Sequence, residues 1–426
     1  MNLPRLRWLI LGMLFVSTAI NYIDRQALSV LLPTLRTELN LSSADYGLIT
    51  TGFLVAYTIG QIGFGVLIDK IGTRLGFAIS ITIWSLAAIA HAFVGGAASL
   101  AILRFLLGIG EAGNYPAGGK VVAQWLPPTR RAFGMGIFDG GSAAGAIIAP
   151  PLVAFLALQY GWRTAFIATG VLGFVWLALW LWIYAAPDEH RWLSDAEKQQ
   201  IIDESGNAKN AKLGFGEAVR LIIGARQLWG LMATRFLATP VWWFYVFWLP
   251  DYLGKERGFT LQEIGFFGWI PFVTVDLGKL AGGFLSDKLL ERGNSPTFAR
   301  KIVMAGGALL MAAGVLVIGA NSSAETIAWV SVATFGFGMW SANVLALHTD
   351  IFPTETMATV IGLTTMAASL GGAISTYIIG QIVDRAGYAP VFYIVGSIAL
   401  VALFVLIFGV GTIRKIQPPE VTNDSV

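Results

Sequence analysis

The chain has 426 residues, of which 56% are apolar and only 12% charged, with 50 glycines, no cysteine and a formal net charge of +3. A water-soluble core of this length cannot hide that apolar fraction, so the chain must face lipid. The small net charge gives no ground for a nucleic-acid partner, and the lack of cysteine excludes disulfides, iron–sulfur clusters and thiolate metal sites.

Apolar runs of about twenty residues recur along nearly the whole length, each enough for a helix rising about 1.5 Å per residue to cross about 30 Å of hydrocarbon. Lipid leaves backbone groups no outside partner and the period-two alternation of a barrel is absent, so the spans are helices. The first, 7–34, follows Arg5 and Arg7; no small-residue cleavage site comes after it and the polar stretch 21–25 interrupts it, so it reads as a retained helix. Spans at 45–67, 75–95, 98–123, 131–158 and 163–185 complete an N-terminal six-helix bundle over 1–186. The polar stretch 187–226 reads as a cytoplasmic linker carrying one or two amphipathic surface helices. Spans at 227–253, 261–286, 300–319, 323–347, 356–383 and 388–412 make a C-terminal bundle over 227–415, with a cytoplasmic tail over 416–426. The expected fold class is an all-α membrane protein of twelve transmembrane helices in two pseudo-symmetric bundles.

With both termini in the cytoplasm, Arg5, Arg7, Lys70, Arg74, Arg130, Arg131, the linker's basic residues, Lys288, Arg292, Arg300, Lys301, Arg414 and Lys415 fall inside. Only Arg36, Arg163, Lys255, Arg257 and Arg385 fall outside, and this bias sets the expected orientation. Five cations remain at membrane depth or near its edges: Arg25, Arg104, Lys120, Arg235 and Lys279.

An ionised group at the bilayer centre costs at least about 2.5 kcal/mol, so these positions are informative. Asp24 and Arg25 lie in the middle of the first span; Arg104 and Glu111 both lie in the fourth. Tyr22 and Arg25, three apart, share a helix face, while Asp24 points about 100° away. Arg104 and Glu111 are two turns apart, about 10 Å along one face. Guanidinium forks bind a carboxylate bidentately and keep their charge, whereas Asp and Glu can change theirs, so anion and proton sites fall on different residues. The competing reading of both pairs is a structural salt bridge. Tyr22 and Tyr57 offer ring surface or simple packing. Trp340 and Asn343, on one face of the tenth span, read as stacking and polar cavity groups with packing as the rival. Asp276 and Lys279, three apart, read as a local pair. Arg235 reads as a cap or a snorkelling side chain, and Lys120 as a snorkelling one.

Gly65-Val-Leu-Ile-Asp69-Lys70, ending the second span, recurs as Gly283-Phe-Leu-Ser-Asp287-Lys288 at the end of the eighth, more than two hundred residues on, so the halves are repeats of one unit. The stretch 65–74, G-x-x-x-D-K-x-G-x-R, resembles the signature loop of the major facilitator superfamily. Within it, Asn21-Tyr22-Ile23-Asp24-Arg25, Arg104 through Glu111-Ala-Gly-Asn114-Tyr-Pro116, Gly145-Ala-Ile-Ile-Ala-Pro-Pro151 and Trp248-Leu-Pro250-Asp-Tyr252-Leu resemble the anion:cation symporter family, which includes hexuronate, galactonate and sialic-acid transporters.

That resemblance implies alternating access between two bundles, with Arg25 and Arg104 on the substrate carboxylate and Asp24 and Glu111 in proton coupling. It implies a gating motif at Gly65, Asp69, Lys70 and Arg74, matched by Asp287 in the repeat. Asp139 and Ser142 occupy a stretch of the fifth span where relatives carry amides or small polar groups, and are the expected contacts to substrate hydroxyls. The expected function is proton-coupled symport of a small organic anion, a sugar acid of the hexuronate or aldonate kind, by a monomer in the cell inner membrane. A proton-coupled exporter or antiporter stays open, because the glycine- and proline-rich fifth span resembles antiporter patterns too, and so does uptake of an aromatic carboxylate. The chain has no phosphate-cradling loop, no H-E-x-x-H and no nucleophile with a paired base, so it is not expected to be an enzyme or to hold a cofactor or metal.

Overall fold

A computed structural model describes residues 3–205, 220, 222–353 and 356–416, and every regular element among them is helical. Part of the expected linker and nearly all of the expected tail lie outside the described residues. In chain order the helices are α1 (Leu3–Leu39), α2 (Ser43–Ile71), α3 (Thr73–Ala90), α4 (Ala97–Glu111), α5 (Asn114–Trp125), α6 (Pro128–Tyr160), α7 (Trp162–Ile183) and α8 (Asp195–Ser205). Then follow α9 (Arg226–Arg257), α10 (Leu261–Phe267), α11 (Ile270–Glu291), α12 (Pro296–Ala312), α13 (Ser323–Ile351), α14 (Met357–Ala386) and α15 (Ala389–Val405).

Among the described residues, ten helical stretches are long and apolar enough to cross a membrane. The two expected spans that fall short do so for physical reasons. The fourth is broken after Glu111 into α4 and α5, each shorter than a full crossing. The seventh, α9, is long enough, but its tryptophans, tyrosines, Pro240, Pro250 and Arg235 lower its mean hydropathy. The helices α10 and α11 together cover the eighth expected span, interrupted around Gly268.

The repeat shows in the turns as well. Gly72 between the second and third spans and Gly293 between the eighth and ninth both have positive φ, at 86° and 81°. Gly161 and Gly387, at 84° and 72°, hold the same place before the sixth and twelfth spans. Only a residue without a Cβ turns this way at no steric cost.

The described residues form two compact units. One holds those of 1–210 together with 243–273 and 372–391; the other holds those of 211–242, 274–371 and 392–416. In the first, α1 runs along α6, α2 along α4, and α3 along α4 and α7. Small residues permit these approaches: a Cβ on Gly141 or Gly145 of α6 would run into the Phe15 or Ala19 carbonyl of α1, and one on Gly108 of α4 into the Phe53 carbonyl of α2. The Leu39 end of α1 is tied within this unit by Arg36, whose Nε and Nη2 donate to Asp251 at 3.1 and 2.8 Å, while the Tyr388 hydroxyl donates to the same carboxylate. Asp384 accepts the first backbone N–H groups of α2, Ser43 at 2.8 Å and Ala44 at 2.6 Å, placing negative charge at a helix N-terminus. In the second unit α12 runs along α13, and Gly278 and Gly282 of α11 lie against Phe335 and Met339 of α13.

Candidate functional site

The breaking of the fourth span decides the geometry of the site. After Glu111 the helix ends in a turn at Ala112 and Gly113, where the Gly110 carbonyl accepts from the Gly113 N–H at 3.4 Å and from the Ser80 hydroxyl at 2.7 Å. Asn114 opens α5 and fastens it to α1: its amide donates to Thr18 Oγ1 at 3.1 Å and accepts from Ser17 Oγ at 3.1 Å. Glu111 is thereby held at a helix end facing α1 instead of stacked along α4 beneath Arg104.

There it meets Arg25. The guanidinium Nε and Nη2 donate to Glu111 Oε2 at 3.0 and 2.8 Å, and Nη2 also donates to Asn21 Oδ1, one turn back on α1, at 3.2 Å. Both side chains are sealed, at 2% and 0% exposure. Four rings surround the cation: Tyr22, Tyr57, Phe53 and Trp243 lie 4.7, 4.8, 5.2 and 5.8 Å from Cζ to ring centre. Their π faces favour a positive charge and leave a carboxylate only the fork edge to approach. Trp243 stacks on Phe247 with centroids 5.1 Å apart, and a Cβ on Gly372 would collide with its indole.

The pair is not saturated. Glu111 Oε1, Asn21 Nδ2 and Trp243 Nε1 are buried with no hydrogen-bond partner. Glu111 and Asn21 both bond the guanidinium and each keeps one unspent polar atom, whereas the Nε1 edge of Trp243 lies against Gly372.

Arg104 does not enter this ring of side chains. Its Nη2 donates to the Arg25 carbonyl and its Nη1 to that of Asp24 at 3.4 Å, with the Phe53 ring 5.1 Å away. It braces the backbone of α1 under the site. Asp24 points away from Arg25, as the one-residue offset requires, and neither carboxylate oxygen has a hydrogen-bond donor. Its neighbour Thr169 on α7 gives its hydroxyl to the Phe166 carbonyl at 3.3 Å. Arg25 and Asp24 are thus not a pair; the bridge that forms is Arg25 with Glu111.

Asp139 is exposed on α6 and accepts from the Tyr115 hydroxyl at 2.7 Å; Ser142 lies one turn on, half-buried. Trp340 and Asn343 belong to the second unit. Asn343 Nδ2 donates to the Gly282 and Met339 carbonyls at 3.2 and 3.0 Å, and its Oδ1 is buried without a partner.

The loop after the second span is fastened by Lys120, which donates to Asp69 at 2.8 Å and to the Ile68 carbonyl at 3.0 Å at the end of α2. Arg74 donates to the Leu181 carbonyl and accepts at its own carbonyl from Trp180 Nε1 at 3.1 Å. A Cβ on Gly65 would meet open space, and Lys70 is exposed. In the repeat, Arg300 plays the basic part, 3.2 Å from Asp287 and 2.9 Å from Asp350. Asp276 and Lys279 form the expected local pair at 2.9 Å.

Sequence reasoning missed Phe53, Asn114, Thr169 and Trp243. Phe53 sits four residues before Tyr57, a same-face spacing that could have drawn attention to it. Nothing in the run of aromatic residues on α9 singled out Trp243 from Trp242.

A sequence model described as Major Facilitator Superfamily matches residues 14–376 and 295–424. The hexuronate transporter of Escherichia coli (strain K12) is 32% identical over 403 residues, covering 94% of this chain and 93% of that protein. The D-galactonate transporter of Escherichia coli O6:H1 is 29% identical over 422 residues, covering 97% of each. A solved structure of a bacterial homologue of the human lysosomal transporter Spinster, inward-facing and unoccupied, is similar with a TM-score of 0.76 at 19% identity, covering 95% of both chains. That last likeness speaks for the fold alone.

Proposed function

Since the chain belongs to the major facilitator superfamily and crosses the membrane many times, we propose that it is a secondary active transporter carrying a sugar acid, a hexuronate or an aldonate, in symport with protons. In this reading the N-terminal bundle 1–186 and the C-terminal bundle 227–415, joined by the linker 187–226, alternate access to a central site in the cell inner membrane, with both termini cytoplasmic. A single chain holds both repeats and works as a monomer. The naming of the relatives supports the substrate class, and the bias of basic residues supports the orientation.

The observation that carries the reading is the sealed Arg25–Glu111 pair within its ring of aromatic side chains. Arg25 holds Glu111 by the same Nε–Nη2 edge that a substrate carboxylate would need, so the two compete for it. Protonation of Glu111 cancels its charge and releases the fork. The substrate carboxylate then takes the fork and restores the charge balance, while Asn21, Trp243 and the two tyrosines offer polar tips and ring faces to the sugar. Asp24 gives a second exchangeable proton, and Arg104 holds the α1 backbone on which Asp24 and Arg25 stand. Asp139 and Ser142, with Trp340 and Asn343, are the further candidates for substrate contact. Moving one anion inward against an inside-negative potential costs about 2.3 kcal/mol per 100 mV; one proton cancels this and a second makes the step favourable.

The test is uptake of labelled glucuronate, galacturonate, galactonate, glucarate and benzoate into proteoliposomes with an inward proton gradient. Accumulation of one sugar acid that a protonophore abolishes supports the reading. Movement of benzoate alone replaces the sugar acid with an aromatic one, and accumulation of none of them rejects the reading.

A further inference from the structure

In the second unit a guanidinium stands within α9, the seventh expected span, and among the described residues it has no counter-ion. Arg235 lies nine residues beyond the first residue of α9, about 13 Å along its axis. Its Nη1 donates to the Thr364 and Thr365 hydroxyls of α14 at 3.1 and 3.2 Å. Thr364 Oγ1 lies 2.9 Å from His348 Nε2, and His348 Nδ1 lies 2.8 Å from the Val344 carbonyl. A carbonyl only accepts, so the hydrogen sits on Nδ1 and Nε2 takes the Thr364 hydroxyl hydrogen; that hydroxyl also lies 3.2 Å from the Ile361 carbonyl one turn back. Donation therefore runs from Arg235 through Thr364 and His348 to Val344, and every partner in the chain is neutral.

Arg25, Lys279 and Arg300 each hold a carboxylate; among the described residues Arg235 holds none. The arginine is half-buried, and its Nε and Nη2 neither make a hydrogen bond there nor are sealed from solvent. Charges inside spans are ordinarily paired or line a pathway. As a tie between α9 and α14 alone, the residue would need one nitrogen and no charge, which a neutral amide supplies. What the charge adds is the unused edge, the same Nε–Nη2 edge by which Arg25 grips Glu111. Thr365 accepts from Arg235 and keeps its own hydroxyl hydrogen to give.

We propose that Arg235 and Thr365 form an anion site separate from Arg25, one that takes the carboxylate group of an organic acid while the Thr364–His348 chain fixes the other edge of the guanidinium. The assignment stands whether or not Arg25 binds substrate. It is tested by titrating the purified full-length protein with glucuronate, glucarate and inorganic phosphate in the Arg25→Gln/Glu111→Gln background, which removes that ion pair as a unit. Saturable carboxylate binding should persist there and weaken by about tenfold or more when Arg235→Gln is added, the loss of one charge-assisted contact. Thr365→Val, which leaves the charge in place, should weaken it severalfold and guards against a misfolded arginine variant. Residual binding that neither change alters, or no residual binding at all, overturns the proposal. Phosphate displacing the carboxylates overturns the assigned ligand class.

Discussion

Replacing Glu111 by Gln keeps the shape of the side chain and removes the charge that Arg25 holds. Two buried hydrogen bonds of 3.0 and 2.8 Å end on its Oε2. A hydrogen bond to a charged group is worth about 1.5–3 kcal/mol net, and in the proposed mechanism a substrate carboxylate displaces this interaction when it binds. With the competing charge gone, the acid should bind about 10- to 100-fold more tightly at a pH where Glu111 is ionised. The unliganded variant should lose stability, because breaking a buried pair from one side costs about 3–5 kcal/mol, and bound acid should return much of that loss. Calorimetric titration at pH 5.5 and 8 should give a Kd that changes with pH in the wild type and changes less in Glu111→Gln, where Asp24 alone still exchanges a proton. Exchange of labelled for unlabelled acid across proteoliposomes should survive, while accumulation driven by a proton gradient should fall well below the wild-type level. Accumulation at the wild-type level, or a Kd with unchanged pH dependence, would refute the displacement mechanism.

Trp243→Phe keeps the ring and removes the unpartnered indole N–H, so it should weaken acid binding by the equivalent of about one hydrogen bond, 0.5–1.5 kcal/mol, and leave proton coupling intact; Kd and gradient-driven uptake measured side by side check both halves. Gly108→Leu drives a side chain into the Phe53 carbonyl where α4 crosses α2, and a drop in thermal stability of about 1–3 kcal/mol or failure to fold is expected from unfolding curves. His190 lies buried at the start of the linker, accepting at Nδ1 from the Trp192 N–H at 3.3 Å while Nε2–H donates to the Ile183 carbonyl at 3.0 Å. Burial, aided by Arg191 and Lys198, lowers its pKa from 6.5. The unfolded segment then binds the proton first, so the packing of this segment is full above pH 6.5 and weakens as pH falls towards the depressed value. Limited proteolysis of the linker against pH should show this loosening, and His190→Gln should flatten the response.

The run of apolar spans was legible because hydrocarbon thickness and helical rise leave little freedom, and the predicted positions agree with the helices to within a few residues. The break after Glu111 was not. An Ala-Gly-Asn sequence inside an apolar run reads as close packing, and only the bonds of Asn114 to Ser17 and Thr18 show that a new helix starts there. The ionisable residues were legible as a set, because intramembrane charge is rare. Their pairing was not, since it depends on how α4 is rotated against α1. Spacing along one helix suggested Arg104 above Glu111, whereas the guanidinium of Arg104 ends on α1 carbonyls and Glu111 ends on Arg25. Arg235 was read as a cap or a snorkelling side chain, and no pattern on α9 alone could reveal the threonines of α14 that hold it.

The most direct measurement is of the proton itself. Liposomes holding the wild-type protein and a trapped pH-sensitive dye, with no starting pH gradient, should acidify inside when glucuronate or galactonate is added outside, and liposomes holding Arg25→Gln should not. Labelled acid crossing at the wild-type rate without any internal pH change would contradict the coupling of anion to proton at the Arg25–Glu111 pair.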